Sequence, residues 1–172
     1  MAAPFRCTIV LILLAAAAGL AGCGLFGDGE LAAQRARLLL AEEPAGAVSI
    51  EEAREQLAEN DRVVLVGRIG AGADNPFVNG SAEFLLSEIV AGGHDHAPGH
   101  DADDCPFCRR AAAEAPTALV QFLDEQGEVL PIDAPKLFGV ERGGIVVVRG
   151  RGEIAEHLDL FRITADGIYL RD

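Results

Sequence analysis

The sequence predicts a small, mainly β domain: a five-stranded barrel with an N-terminal helix and a long polar loop inserted into it. Three observations predict this. From Arg62 onward, short β-branched and aromatic runs bounded by glycines and polar turn residues replace helical spacing. One short helical pattern, around Lys136-Leu137-Phe138, separates the third such run from the fourth. The stretch from His94 to Cys108 holds three histidines, four aspartates and a Cys-x-x-Cys within fifteen residues, with almost no apolar surface. Such a stretch cannot bury itself, so it belongs on the surface or is ordered by what it binds.

The first 22 residues read as a targeting segment. Arg6 supplies a positive n-region, and Cys7 to Ala18 is an apolar run without a charge, shorter than the ~20 residues of a spanning helix. The run ends in Leu20-Ala21-Gly22-Cys23, which resembles the lipobox of bacterial lipoproteins. The resemblance implies cleavage before Cys23 and acylation of its thiol, with stable anchoring by two or three chains. It places the protein outside the cytoplasm, on the cell membrane or the outer membrane. In that family an Asp after the cysteine favours inner-membrane retention in some bacteria; here Gly24 follows.

Residues 23–48 are then expected to be anchor, Gly-rich tether and helical stalk. Glu30 to Glu43 carries a thin apolar stripe and is closed by Pro44. Residues 49–172 form the domain. Ser49-Ile50-Glu51-Glu52 matches a capping box and opens a helix to about Glu59. Arg62 to Ile69 is the first strand, with Gly67 marking a bulge or bend. Ser81 to Ile89 is the second, with Ala82, Phe84 and Leu86 on one face. Thr117 to Leu123 is the third, closed by the turn Asp124-Glu125-Gln126-Gly127. A short helix spans Ile132 to Val140, and Gly144 to Gly150 is the fourth strand. The fifth, Leu158 to Ile163, continues past a turn into Gly167-Ile168-Tyr169-Leu170.

Five strands with a helix between the third and fourth is the order of an OB-fold barrel. Val64-Leu65-Val66-Gly67-Arg68, Gly144-Ile145-Val146-Val147-Val148-Arg149-Gly150 and Leu160 to Ile168 resemble the first, fourth and closing strands of bacterial OB-fold domains of the nucleic-acid-binding type. The resemblance covers about Ser49 to Leu170 and implies fold more than function. A sandwich of the same strand count is the alternative. The chain departs from that family in the insertion at 91–116 and in lacking a basic, aromatic binding face.

The insertion carries the chemistry. In extended chain, His94 and His96 project to one side, and Pro98-Gly99 turns His100 back toward them. The two-residue spacing of Cys105 and Cys108 lets both sulfurs approach one ion. Two thiolates and two imidazoles make a tetrahedral zinc site, with copper the other candidate. Asp101, Asp103 and Asp104 are outer acceptors or replacement ligands. Three other readings stand beside this one. Cys105-Pro106-Phe107-Cys108 resembles the glutaredoxin tetrapeptide, with a helix from Cys108 lowering a thiol pKa; the two cysteines form a plain disulfide; or the loop is an acidic tip with no specific ligand. Covalent haem is disfavoured because Arg109, not a histidine, follows Cys108. His157 reads as a surface residue, and Arg149 and Arg151 as outward strand charges.

With Arg6 removed, 13 basic against 27 acidic side chains leave a charge of −14. Lys136 is the one lysine, and there is one Tyr and no Trp. That balance opposes a nucleic-acid partner, which needs clustered cations and stacking rings. No Ser/His/Asp set, phosphate loop or paired-carboxylate motif stands out. The function expected is a membrane-tethered, non-enzymatic metal-binding module that meets an envelope protein. The alternatives are a thiol-disulfide protein and, by fold analogy alone, an oligonucleotide or oligosaccharide binder.

Overall fold

The computed structural model describes residues 27–70, 75–89, 110, 111, 113–155, 157 and 159–171. Among them, β1 (Arg62–Ile69), β2 (Glu83–Ser87), β3 (Thr117–Phe122), β4 (Ile145–Ala155) and β5 (Leu160–Arg171) form one mainly antiparallel sheet. It closes on itself in the order β1-β2-β3-β5-β4, so the five strands do not split into the two layers of a sandwich. Every neighbouring pair is antiparallel except β3 and β5, which run parallel. The helices described from end to end are α1 (Asp28–Leu38), α2 (Ile50–Gln56) and α3 (Ala134–Phe138).

Strand periodicity explains the core. In β1, Val63, Leu65 and Ile69 point inward, with Phe84 and Leu86 of β2 and Ala118, Val120 and Phe122 of β3 facing them. Phe84, Phe122, Phe138 and Phe161 are fully buried. The Phe122 and Phe138 rings lie 4.6 Å apart at 50°, so α3 inserts an aromatic plug into one end of the ring. Gly139, at φ 75°, stops α3 in the left-handed conformation and returns its N–H to the Pro135 carbonyl.

β1 and β2 meet over only two register pairs, Arg68 with Ser87 and Ile69 with Leu86. Gly67 permits that approach: a Cβ there would lie 2.6 Å from Leu86 Cγ and 2.9 Å from the Ser87 carbonyl. The remaining edges are covered by short fragments. Val48 exchanges backbone bonds with Val64 and Val66, and Pro76 accepts from the Leu85 N–H at 2.9 Å. Gly67 does not carry a bulge in its pairing with β4; the register shift lies between Arg149 and Gly150.

Two elements differ from expectation for one reason. The Leu38-Leu39-Leu40 run is helical in pattern, but α1 ends at Leu38 because Leu39 turns extended and bridges Ile168. The Leu40 N–H donates to the Ile168 carbonyl at 2.8 Å, and Leu38 is 1% exposed. The segment expected as a stalk is therefore packed on α3 and β5. Likewise Thr164-Ala165-Asp166-Gly167 has turn composition yet stays within β5: β3 and β4 pair with Thr164 and Ala165 from both sides, Gly167 pairs with Arg149, and Asp166 is the extra residue at the register shift. Long-range pairing overrides local preference in both places. α2 follows expectation at its start, where Ser49 Oγ accepts from the Glu52 N–H at 3.1 Å.

Candidate functional site

The insertion springs from the β2–β3 hairpin. Ser87 pairs with Thr117, and one step further the Glu88 N–H donates to the Pro116 carbonyl at 2.9 Å. Ser87 is 1% exposed, and no described buried side-chain polar atom is left without a partner. The root of the loop is thus a closed, satisfied ladder with 27 residues between Glu88 and Pro116. The proposed ligands His94, His96, His100, Cys105 and Cys108 lie outside the described residues, as does Cys23. Beyond the cysteines the description resumes with Arg110, Ala111, Ala113 and Glu114, which are helical. Arg110 Nε meets Glu114 Oε1 at 3.0 Å across one turn, both side chains well exposed.

The surroundings of the root are set by contacts with no local signal in the sequence. Glu88 Oε2 accepts from the Glu51 N–H at 3.0 Å, tying the root to the first turn of α2 across 37 positions. From the same helix, Arg54 reaches Asp159 at 2.7 Å in the β4–β5 connection. Asp159 itself has φ 47°, a left-handed conformation that Asp tolerates better than most residues. The same connection carries His157, which is exposed. Because β3 and β5 are parallel and in register from Ala118 with Phe161, the insertion root and the β4–β5 connection occupy the same end of the sheet. Only the pairing pattern reveals that neighbourhood.

The charged outer face is self-compensated. Asp166 receives Arg149 at 2.6 Å and Arg62 at 3.1 Å; Arg151 meets Asp61 at 3.1 Å, and Arg162 meets Glu153 at 3.1 Å. Arg149 and Arg151, expected as solvated charges, are partly exposed and each is paired with a carboxylate. Arg171 makes a two-pronged contact with Glu43, and that hydrogen bond holds the Glu43 carboxyl below its ordinary value of 4.5. A half-open cleft of about 250 Å³ at the α3 end is lined by Ile69, Val140, Ile145, Val146 and Leu170. Its charged lining residues are Glu141 and Arg171, and Arg171 is already engaged.

Among the described residues, no three His, Cys, Asp or Glu side chains are grouped to hold a metal, and no helix is long and apolar enough to cross a membrane. No protein-family model matches the chain, and no curated protein matches it.

Proposed function

We propose that the chain is a membrane-tethered, extracytoplasmic, non-enzymatic metal-binding module on an OB-fold-like barrel, anchored through an acylated Cys23 and meeting another envelope protein. The strand order β1-β2-β3-β5-β4, with α3 between β3 and β4, supports the barrel assignment. One observation carries the function: a His/Cys donor set sits on a loop whose ends are pinned together at Glu88 and Pro116. Donors on a closed loop lose less chain entropy on converging than donors on a free segment. Cys105, Cys108 and two of His94, His96 and His100 would hold one zinc-like ion. Pairing of Arg62, Arg149, Arg151 and Arg162 with carboxylates supports excluding a phosphate-backbone partner, which needs unneutralised cations.

The test measures metal content and free thiols on one sample of a soluble Cys23→Ser chain without its first 22 residues, purified without chelator or His-tag. About one ion per chain with both thiols reduced is the expected result. Affinity falls below pH about 6.5, where imidazoles take up protons. Changing Cys105 and Cys108 to Ser removes most affinity, whereas His157→Ala leaves it nearly unchanged. No metal and no free thiols would move the assignment to the thiol-disulfide reading. Arg110, Ala111, Ala113 and Glu114, helical and close behind Cys108 in the chain, are the observation that supports this second reading.

A further inference from the structure

The two segments that carry the proposed function leave the described body at opposite ends. Strand directions define those ends: Ile69, Glu83, Phe122, Ile145 and Arg171 at one, Arg62, Ser87, Thr117, Ala155 and Leu160 at the other, the stagger of the closed sheet bringing Ser87 level with Arg68 at the β1–β2 seam. α1 belongs to the first end. Arg37 donates to the Leu123 carbonyl at 3.2 Å, Arg35 to the Phe138 carbonyl at 3.4 Å, and Leu39 bridges Ile168. The insertion root, at Ser87 and Thr117, belongs to the second. From Thr117 to Leu123 the chain runs six strand steps, about 20 Å.

Cys23 is five residues from Asp28, the first residue of α1, so a chain of at most about 18 Å joins them. The docking of α1 makes this short tether matter. Undocked, its eleven residues would extend the reach by about 40 Å and let either end approach a membrane. Docked through the buried Leu38, with Leu31 packed against the core, α1 transmits the anchor to one end of the sheet.

Resting on the lipid-anchor reading above, we propose that the α1–α3 end of the sheet faces the bilayer. The root of the His/Cys insertion, with α2 and the β4–β5 connection, is presented at the membrane-distal end.

The absence of Trp from the sequence supplies a clean probe. Lys136→Trp places one on α3 and His157→Trp one in the β4–β5 connection; both native residues are exposed. The acylated full-length variants are reconstituted in phosphatidylcholine–phosphatidylglycerol vesicles containing a dansyl-headgroup lipid, and Trp-to-dansyl transfer is measured. Transfer several-fold higher from Lys136→Trp than from His157→Trp is expected; equal or reversed transfer overturns the orientation. Inserting about 20 Gly/Ser residues after Gly27, with a span of roughly 25 Å, should abolish the difference. If the difference survives that insertion, the short tether is not its cause and the inference fails. Vesicle binding unchanged by Cys23→Ser defeats the lipid-anchor reading itself, a separate outcome read by sedimentation.

Discussion

Deleting residues 92–110 tests the division between scaffold and insertion most directly. The deletion removes the proposed ligands but leaves the Ser87–Thr117 pair and the Glu88–Pro116 hydrogen bond in place. It shortens the connection between Glu88 and Pro116 from 27 residues to 8. Loop-closure entropy scales as (3/2)RT ln n, so the shorter loop favours folding by about 1 kcal/mol. Against this stands the Arg110–Glu114 pair, exposed at both ends and contributing at most a few tenths of a kcal/mol. The net expectation is unchanged or slightly raised stability, a Tm shift of about 0 to +4 °C. Circular-dichroism melts in the presence of chelator, which removes any contribution of bound metal, measure this on the soluble chain with and without the deletion. Metal content measured without chelator should fall to background in the same variant. The matched contrast is Val147→Asp. Val147 is 0% exposed and paired between Val66 and Tyr169, so a carboxylate there is desolvated and should unfold the domain. A deletion variant that melts without cooperativity, beside a folded Val147→Asp chain, would refute the reasoning.

Gly150→Ala should destabilise the chain by a few kcal/mol, because the added Cβ would sit 2.4 Å from the Thr164 carbonyl oxygen and 2.8 Å from Ala165 Cα, both backbone atoms; a Tm within a degree or two of the parent would count against this β4–β5 geometry. Arg171 lowers the folded-state pKa of Glu43 below 4.5, so the pair contributes stability above that pH and loses it as pH falls through the folded value. The Tm difference between the parent chain and Glu43→Gln should accordingly be largest near neutrality and close on acidification below pH 4.5; a difference that stays constant to pH 3 contradicts the linkage.

Several features were legible in the sequence because a few neighbouring residues determine them. Alternating inward residues located the strands, Ser49 and Glu52 marked the start of α2, and Asp124 to Gly127 marked a turn. In that turn Asp124 Oδ1 accepts from the Gln126 and Glu128 N–H groups at 2.9 Å, and Gly127 takes φ 83°. The insertion's thiols and imidazoles were legible only as residue types, and the metal-binding reading built on them stands as a proposal.

Tertiary structure decided what depends on distant partners. Leu39 leaves the helical path only because Ile168, far along the chain, offers it a strand edge. Thr164 and Ala165 stay in β5 because β3 and β4 flank them, Gly167 because it pairs with Arg149, and Asp166 gathers Arg62 and Arg149 only once β4 lies between β1 and β5. Gly67 marked a tight place, but whether it served a bulge or a close approach depended on the position of Leu86 across the seam. Local propensity acts over a turn or a few residues with fractions of a kcal/mol per residue. The pairing of β3 with β5, which puts the root of the insertion beside the β4–β5 connection and opposite α1, comes from closure of the whole sheet.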